Sequence, residues 1–186
     1  MRVPELATAR LVLRGWRESD LAPLAEINAD PEVMRHLGGP VGRTASDMLV
    51  GRFLQKWEEE PRFGWWAAEA VPERRLIGFV GLARPDFEDW PGPCVEIGWR
   101  LGRAWWGRGL ATEAARACLD HAFRAVRLEE VLSFTTPANA PSQRVMARLG
   151  MARVEGGDFD HPLLRPGDPN RRHLLYRMRR DDWGPR

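Results

Sequence analysis

Little in this chain can serve redox chemistry, metal binding or membrane insertion. Cys94 and Cys118 are the only cysteines in 186 residues. Neither lies in a paired metal-binding motif, so a disulfide scaffold and a cysteine zinc site are both excluded. The four histidines, His36, His121, His161 and His173, have spacings that suit no metal site. No apolar run approaches the roughly 18 residues of a membrane span, and Met1–Glu5 has no apolar signal core. The expected setting is a reducing cytoplasm. Lys56 is the only lysine, and the net charge is only +2. That is too small for a nucleic-acid partner. The arginines read as compositional bias, with a few left over as guanidinium forks for phosphate. Repeats, low-complexity tracts and linkers are also missing. A hydrophobic fraction of 44% is ordinary for a folded chain. Residues 1–186 therefore read as a single domain.

The elements follow from periodicity and punctuation. Thr8–Arg14 is rich in β-formers and reads as a strand. Ser19 or Asp20 caps a helix to about Asn28, Asp30-Pro31 restarts a short helix to His36, and Gly38-Gly39-Pro40 ends it. Met48, Leu49, Phe53, Leu54 and Trp57 have helical spacing within Ala45–Glu60. Trp65–Ala70 and Leu76–Leu82 form a hairpin, and Arg84–Pro93 is a polar loop. Val95–Leu101 is a strand that hands over to a helix from Gly109 to Arg124. Val131–Thr136 is a strand, and Ser142–Leu149 is a helix with Gly150 as its C-cap. Met151–Glu155 and His173–Arg179 are the last strands, separated by the loop Gly156–Asn170. The fold class is α/β in the α+β sense: a mixed, mostly antiparallel sheet of about seven strands flanked by helices on both faces.

The most informative segment is Trp105-Trp106-Gly107-Arg108-Gly109-Leu110-Ala111-Thr112-Glu113-Ala114. It sits where a strand passes into a helix. That junction directs free backbone N–H groups, and the positive end of the helix dipole, at one spot. Gly107 and Gly109 let a diphosphate approach the backbone, and Arg108 adds a mobile cation. Alone, the segment also reads as a tight turn with a solvated arginine. It is not a Walker loop, since no Gly-Lys-Ser/Thr follows, and it lacks the third glycine of a dinucleotide fingerprint.

In context the chain resembles the GCN5-related N-acetyltransferases (GNAT), and within them the RimJ/RimL-like branch. The opening Thr8-Ala9-Arg10-Leu11-Val12-Leu13-Arg14 with Asp20-Leu21 carries the resemblance. So do Glu96-Ile97-Gly98-Trp99 followed by the glycine segment, and Asn139-Ala140-Pro141-Ser142 with Arg148-Leu149-Gly150-Met151. The resemblance spans nearly the whole length. It implies acetyl-CoA as co-substrate, with no metal, and a splay between the central strands where the pantetheine arm lies as an extra strand. The amides of Gly107, Arg108, Gly109, Leu110, Ala111 and Thr112 would then hold the diphosphate. Backbone groups near Trp99 and Leu101 would pair with the arm, and Gly98 would mark a bulge. Trp106 stands where relatives often carry Gln or Arg.

For the chemistry, Glu96 is the candidate base or acceptor ligand, drawing a proton from the ammonium through water; the alternative is a partner for an arginine. Many relatives use a tyrosine acid where this chain has Met146, and Tyr176 falls in the last strand. Ser142 is the remaining candidate acid, or else the cap of its helix. Asn139 would bond the pantetheine amides, or simply form a turn. Acetylation through a cysteine lacks an activating base.

The acceptor is an amine, with a protein N-terminus as the first expectation from the resemblance. An aminoglycoside or polyamine, and a non-catalytic acyl-CoA-binding module, are the alternatives. Its groove is expected between Asp20–Gly39, Arg84–Pro93 and Gly156–Asn170, with Asp86, Glu88, Asp89, Asp158 and Asp160 attracting a cation. Trp65, Trp66, Trp90 and Trp99 are placed to shape it. A homodimer is left open.

Overall fold

The computed structural model describes residues 3–85 and 94–184. Nine strands form one sheet: β1 Leu6–Ala7, β2 Leu11–Arg14, β3 Trp65–Ala70, β4 Arg75–Ala83, β5 Glu96–Leu101, β6 Glu130–Thr135, β7 Ala152–Arg153, β8 Phe159–Asp160 and β9 Arg172–Arg179. Their order is β1-β2-β3-β4-β5-β6-β9-β7, with β8 also on β9, and every pairing is antiparallel except β5 with β6. The helices are α1 Leu21–Ala29, α2 Pro31–Met34, α3 Arg43–Glu59, α4 Leu110–Asp120 and α5 Ala140–Leu149.

The elements depart from expectation where long-range pairing decides. Thr8 turns the chain between β1 and β2, its hydroxyl accepting the Leu11 N–H at 2.9 Å, so the first strand begins at Leu11. Phe159–Asp160 pairs with β9 inside a stretch expected as loop. The α-helix after Gly109 ends at Asp120 and continues as a π-helical turn over His121–Ala125. There Val126 N–H donates to His121 C=O, and Ala122 and Phe123 stay in the core.

Alternation divides the sheet into two faces. Trp66, Val80, Leu82, Ile97, Leu101 and Val131 pack under α4 and α5 with Ala114, Cys118, Met146 and Leu149. Trp65 and Phe79 on the opposite face meet Leu24 of α1 and Val50 and Phe53 of α3. Burial pushes the Cys118 thiol far up, so it stays protonated and inert. Trp66, expected near the pocket, is wholly buried in the α4 side of the core.

Asp20, expected at the groove, is instead 3% exposed and bonded to Arg14 at 2.7 and 2.9 Å. Arg14 also donates to Glu69 at 2.7 Å. Buried charges persist when paired in this way. The network joins β2, β3 and the entry to α1, which sets α1 over the second face of the sheet.

Candidate active site

The splay forms where β5 and β6 part. Only Glu96 and Leu132 are paired in register between them. Leu132 N–H donates to Val95 C=O at 2.9 Å, and at the next step the Ser133 hydroxyl, not its backbone, donates to Ile97 C=O at 2.9 Å. Beyond this point β5 continues without β6. Val95 and Ile97 thus turn their backbone groups toward β6, whereas Gly102 N–H bonds Ile77 C=O on the β4 side. By the same alternation Trp99 and Leu101 face the splay. The Leu101 carbonyl is already engaged by Trp106 Nε1 at 2.7 Å. The open groups on this edge are therefore the N–H and C=O of Trp99 and the N–H of Leu101.

Gly98 is not a bulge: β4 and β5 stay in register from Gly78/Leu101 to Ala83/Glu96. A Cβ on Gly98 would come within 2.9 Å of the Trp65 ring, so the glycine makes room for that indole. The register shift lies between β3 and β4, next to Gly78, whose φ is +141°.

At the far end of β5 the phosphate-loop candidate takes the expected shape. Gly107 and Gly109 have φ of +74° and +76°, a conformation that costs an L-residue about 1–2 kcal/mol. The next backbone bond along the loop after Trp106 N–H to Arg103 C=O is Glu113 N–H to Gly109 C=O. The N–H groups of Gly107, Arg108, Gly109, Leu110, Ala111 and Thr112 therefore have no backbone acceptor among the described residues. All belong to the loop before α4 or to its first turn. The buried Thr112 hydroxyl in the first turn also lacks a partner, as does that of Thr136 at the end of β6. A run of uncommitted donors at a dipole's positive end fits a diphosphate.

The loop's support was not legible in its own residues. Glu113 accepts from Thr8 Oγ1 at 2.6 Å, Arg10 N at 2.9 Å and Arg10 Nε at 2.7 Å. Arg10 Nη1 in turn donates to Arg108 C=O at 3.0 Å. Partial burial works against the Glu113 carboxylate, but the bonds from Thr8 and Arg10 outweigh it and hold its pKa below the usual range. Arg108 itself lies over the Trp105 ring at 5.2 Å.

The other candidates fall on both sides of the splay. Asn139 is the N-cap of α5, accepting the Ser142 N–H at 3.3 Å. The helix thus starts two residues before Ser142, and Ser142 does not cap it. Its half-buried hydroxyl lies one turn before Met146, on the same helix face. Met146 is core, 1% exposed, and Tyr176 packs half-buried against that core under Arg153. Glu96 opens β5, half-buried, on the face shared with Gly98, Arg100 and Trp65. On β6 and β9 that face continues into a cluster of Phe134, Phe159, His161 and His173. Burial lowers the pKa of both histidines, helped at His161 by the neighbouring His173, which favours their neutral forms. Asp158 is tied to Arg153, and Asp160 to Arg171 and Arg172, so neither is an uncommitted anion for an amine. Asp86, Glu88, Asp89 and Trp90 lie outside the described residues.

A splayed sheet, a run of N–H groups without backbone acceptors at the end of the splayed strand and a carboxylate at its start fit the class of acyl-transferring proteins that use a diphosphate-bearing cofactor. Residues 10–152 match the acetyltransferase (GNAT) domain family, and the chain belongs to that family. It is an N-acetyltransferase, of a family that takes its acetyl group from acetyl-CoA. Over 97% of its length it is 30% identical to the ribosomal protein uS5-alanine N-acetyltransferase of Escherichia coli, covering 93% of that protein. It is 29% identical to the FsC-acetyl coenzyme A-N(2)-transacetylase of Aspergillus fumigatus, over 97% of this chain and 78% of that one. Mycobacterium smegmatis RimJ, solved in complex with CoA-disulfide, shares the fold with a TM-score of 0.76 at 21% identity, over 98% and 91% of the two chains.

Proposed function

We propose that the chain transfers the acetyl group of acetyl-CoA to a protein N-terminal α-amine by direct attack on the thioester, in the cytoplasm. The observation that carries this reading is the backbone from Gly107 to Thr112: its N–H groups have no backbone acceptor among the described residues and lie at the N-terminus of α4, which follows β5. They hold the diphosphate, with Arg108 assisting. Trp99 N–H and C=O and the Leu101 N–H pair with the pantetheine arm, and the Asn139 amide NH2 reaches it from the other wall. Trp106 anchors the loop to β5 through the Leu101 carbonyl. Glu96 takes the proton of the incoming ammonium through water. An α-amine with a pKa near 8 needs only modest help of this kind. Ser142 returns a proton to the leaving thiolate, a group acidic enough to leave with weak assistance. The uS5-alanine acetyltransferase relative supports an N-terminal acceptor.

One finding favours a second reading. The Aspergillus relative is named for transfer to an N2 amine, so a small-molecule amine is the competing acceptor. Isothermal titration with acetyl-CoA, followed by CoA release with alanine-initiated peptides and with small amines, tests both. Micromolar acetyl-CoA binding with turnover on the peptides is the expected outcome. Absence of acetyl-CoA binding refutes the cofactor assignment, and turnover on small amines alone selects the second reading.

A further inference from the structure

Arg14 is buried and Arg100 partly buried, and their surroundings differ sharply. Arg14 has two carboxylates, Asp20 and Glu69, each at 2.7 Å. Arg100 has no carboxylate partner among the described residues. Its Nη1 donates to Asn28 Oδ1 at 2.7 Å, and its guanidinium lies over the Phe79 ring at 5.0 Å. Its Nε is buried and has no hydrogen-bond partner. Removal from water, with no anion beside it, lowers its pKa to about 10, so it remains charged at pH 7. Burying an unmatched charge is expensive, and a buried N–H without an acceptor calls for a reason.

The position supplies one. Arg100 follows Glu96 by four residues on β5, so both side chains leave the same face, about 13 Å apart at the backbone. Between them is Gly98, covered by the Trp65 indole. The guanidinium is held in place from behind. Asn28, wholly buried in α1, donates to Ser46 of α3 at 2.9 Å, which orients its oxygen toward Arg100. The splay proposed to take the pantetheine arm lies in the plane of the sheet, toward the Trp99 backbone; Arg100 projects out of that plane, onto the face that also carries Glu96 and is approached by α1.

We propose that Arg100 is a specificity-determining residue of the acceptor site, binding the oxygen of the carbonyl or carboxylate group attached to the carbon that bears the acceptor amine. The acceptor class is then α-aminoacyl: a peptide N-terminus or a free amino acid. Aminoglycosides and polyamines lack that oxygen, and they bring further positive charge against a fixed cation. This rests on the acetyltransferase reading above and narrows it.

The experiment compares kcat/KM for an alanine-initiated peptide, free alanine, butylamine and spermidine in the wild type, R100K and R100Q, with acetyl-CoA affinity and Tm measured for each variant. Hydrogen bonds to charged groups are worth about 1.5–3 kcal/mol, or roughly 10- to 150-fold. The expected result is a wild-type preference for the α-aminoacyl acceptors and a loss of this size on them in R100Q. Transfer to butylamine and acetyl-CoA affinity are expected to stay close to wild type, and R100K to recover part of the loss. The peptide and alanine arms separate the two sources of the oxygen. An equal loss on all amines, or a parallel loss of acetyl-CoA affinity, assigns Arg100 a structural or cofactor role and overturns the proposal. A preference that survives R100Q overturns it as well. A wild type that binds acetyl-CoA but acetylates none of the amines overturns the acetyltransferase reading itself, and this proposal with it.

Discussion

Replacing Gly109 separates the cofactor cradle from the fold. With φ at +76°, any L-residue there is strained by about 1–2 kcal/mol. A Cβ would meet only Arg10 Nη2, at 3.7 Å, so there is no clash to add. Gly109→Ala should therefore lower Tm by roughly 2–8 °C in a chain of this size. Gly109→Asp carries the same strain, but its carboxylate sits at the positive end of α4 and beside Arg10. A favourable dipole contact returns about 0.3–1 kcal/mol, so its Tm should lie at or above that of Gly109→Ala. Acetyl-CoA binding should order the two variants the other way. A carboxylate about 4 Å from a phosphate charge costs about 4 kcal/mol at an effective dielectric of 20, close to a thousandfold in affinity. Gly109→Ala should change affinity far less. Calorimetry with acetyl-CoA, paired with thermal unfolding, reads both quantities. At a hundred times Kd the ligand should raise the wild-type Tm by about 5–10 °C and leave that of Gly109→Asp unmoved. A folded Gly109→Asp protein with wild-type affinity would refute the cradle assignment.

Three further outcomes are expected. Glu96→Gln should lower turnover at least tenfold at pH 6.5 and only a few-fold at pH 9, because an α-amine with a pKa near 8 is already neutral there; an equal loss at both pH values would point to positioning instead. Glu113 has a folded pKa below its unfolded one, so its contribution to stability is complete above about pH 4.3 and fades as pH falls through the folded value. Urea unfolding should accordingly show the gap between wild type and Glu113→Gln at pH 7 shrinking by pH 3, and a constant gap would contradict the linkage. Asp20→Ala leaves Arg14 short of a buried partner and should cost about 3–5 kcal/mol in urea unfolding at pH 7; a loss under 1 kcal/mol would show that Glu69 alone satisfies the guanidinium.

Contiguous signals were legible in the sequence. β3 has the expected bounds, Trp65–Ala70, because an apolar run ends at a turn on one side and follows Gly64 on the other. Gly150 closes α5 in the left-handed conformation that its place after Leu149 called for. Other positions answer to residues far away along the chain. Gly98 looked like a bulge marker, but its smallness answers to Trp65, two strands across the sheet. Asp20 is the N-cap residue of α1, as expected, but its side chain makes no cap bond and is claimed by Arg14 instead of lining a groove. Ser142 looked like the first residue of its helix, yet Pro141 fits the first turn without an N–H, which moves the cap back to Asn139.

The same distinction explains why the two halves of the site were unequally readable. Diphosphate recognition, as proposed, is a property of consecutive backbone amides, and the requirement for glycines at a strand-to-helix junction leaves its mark within six residues. Acceptor recognition, on the proposed reading, is assembled from side chains on β5 and α1. Arg100 reads in isolation as one more polar residue on an alternating strand. On the proposed reading its meaning comes from Phe79 opposite it on β4, from the absence of a carboxylate partner among the described residues, and from Asn28, a contact that exists only once α1 lies over the sheet. On this reasoning the pairing that holds α1 in place is also a condition for acceptor choice. Damage to it should therefore widen acceptor preference before it weakens the grip on acetyl-CoA, whose loop is braced separately by Thr8, Arg10 and Glu113.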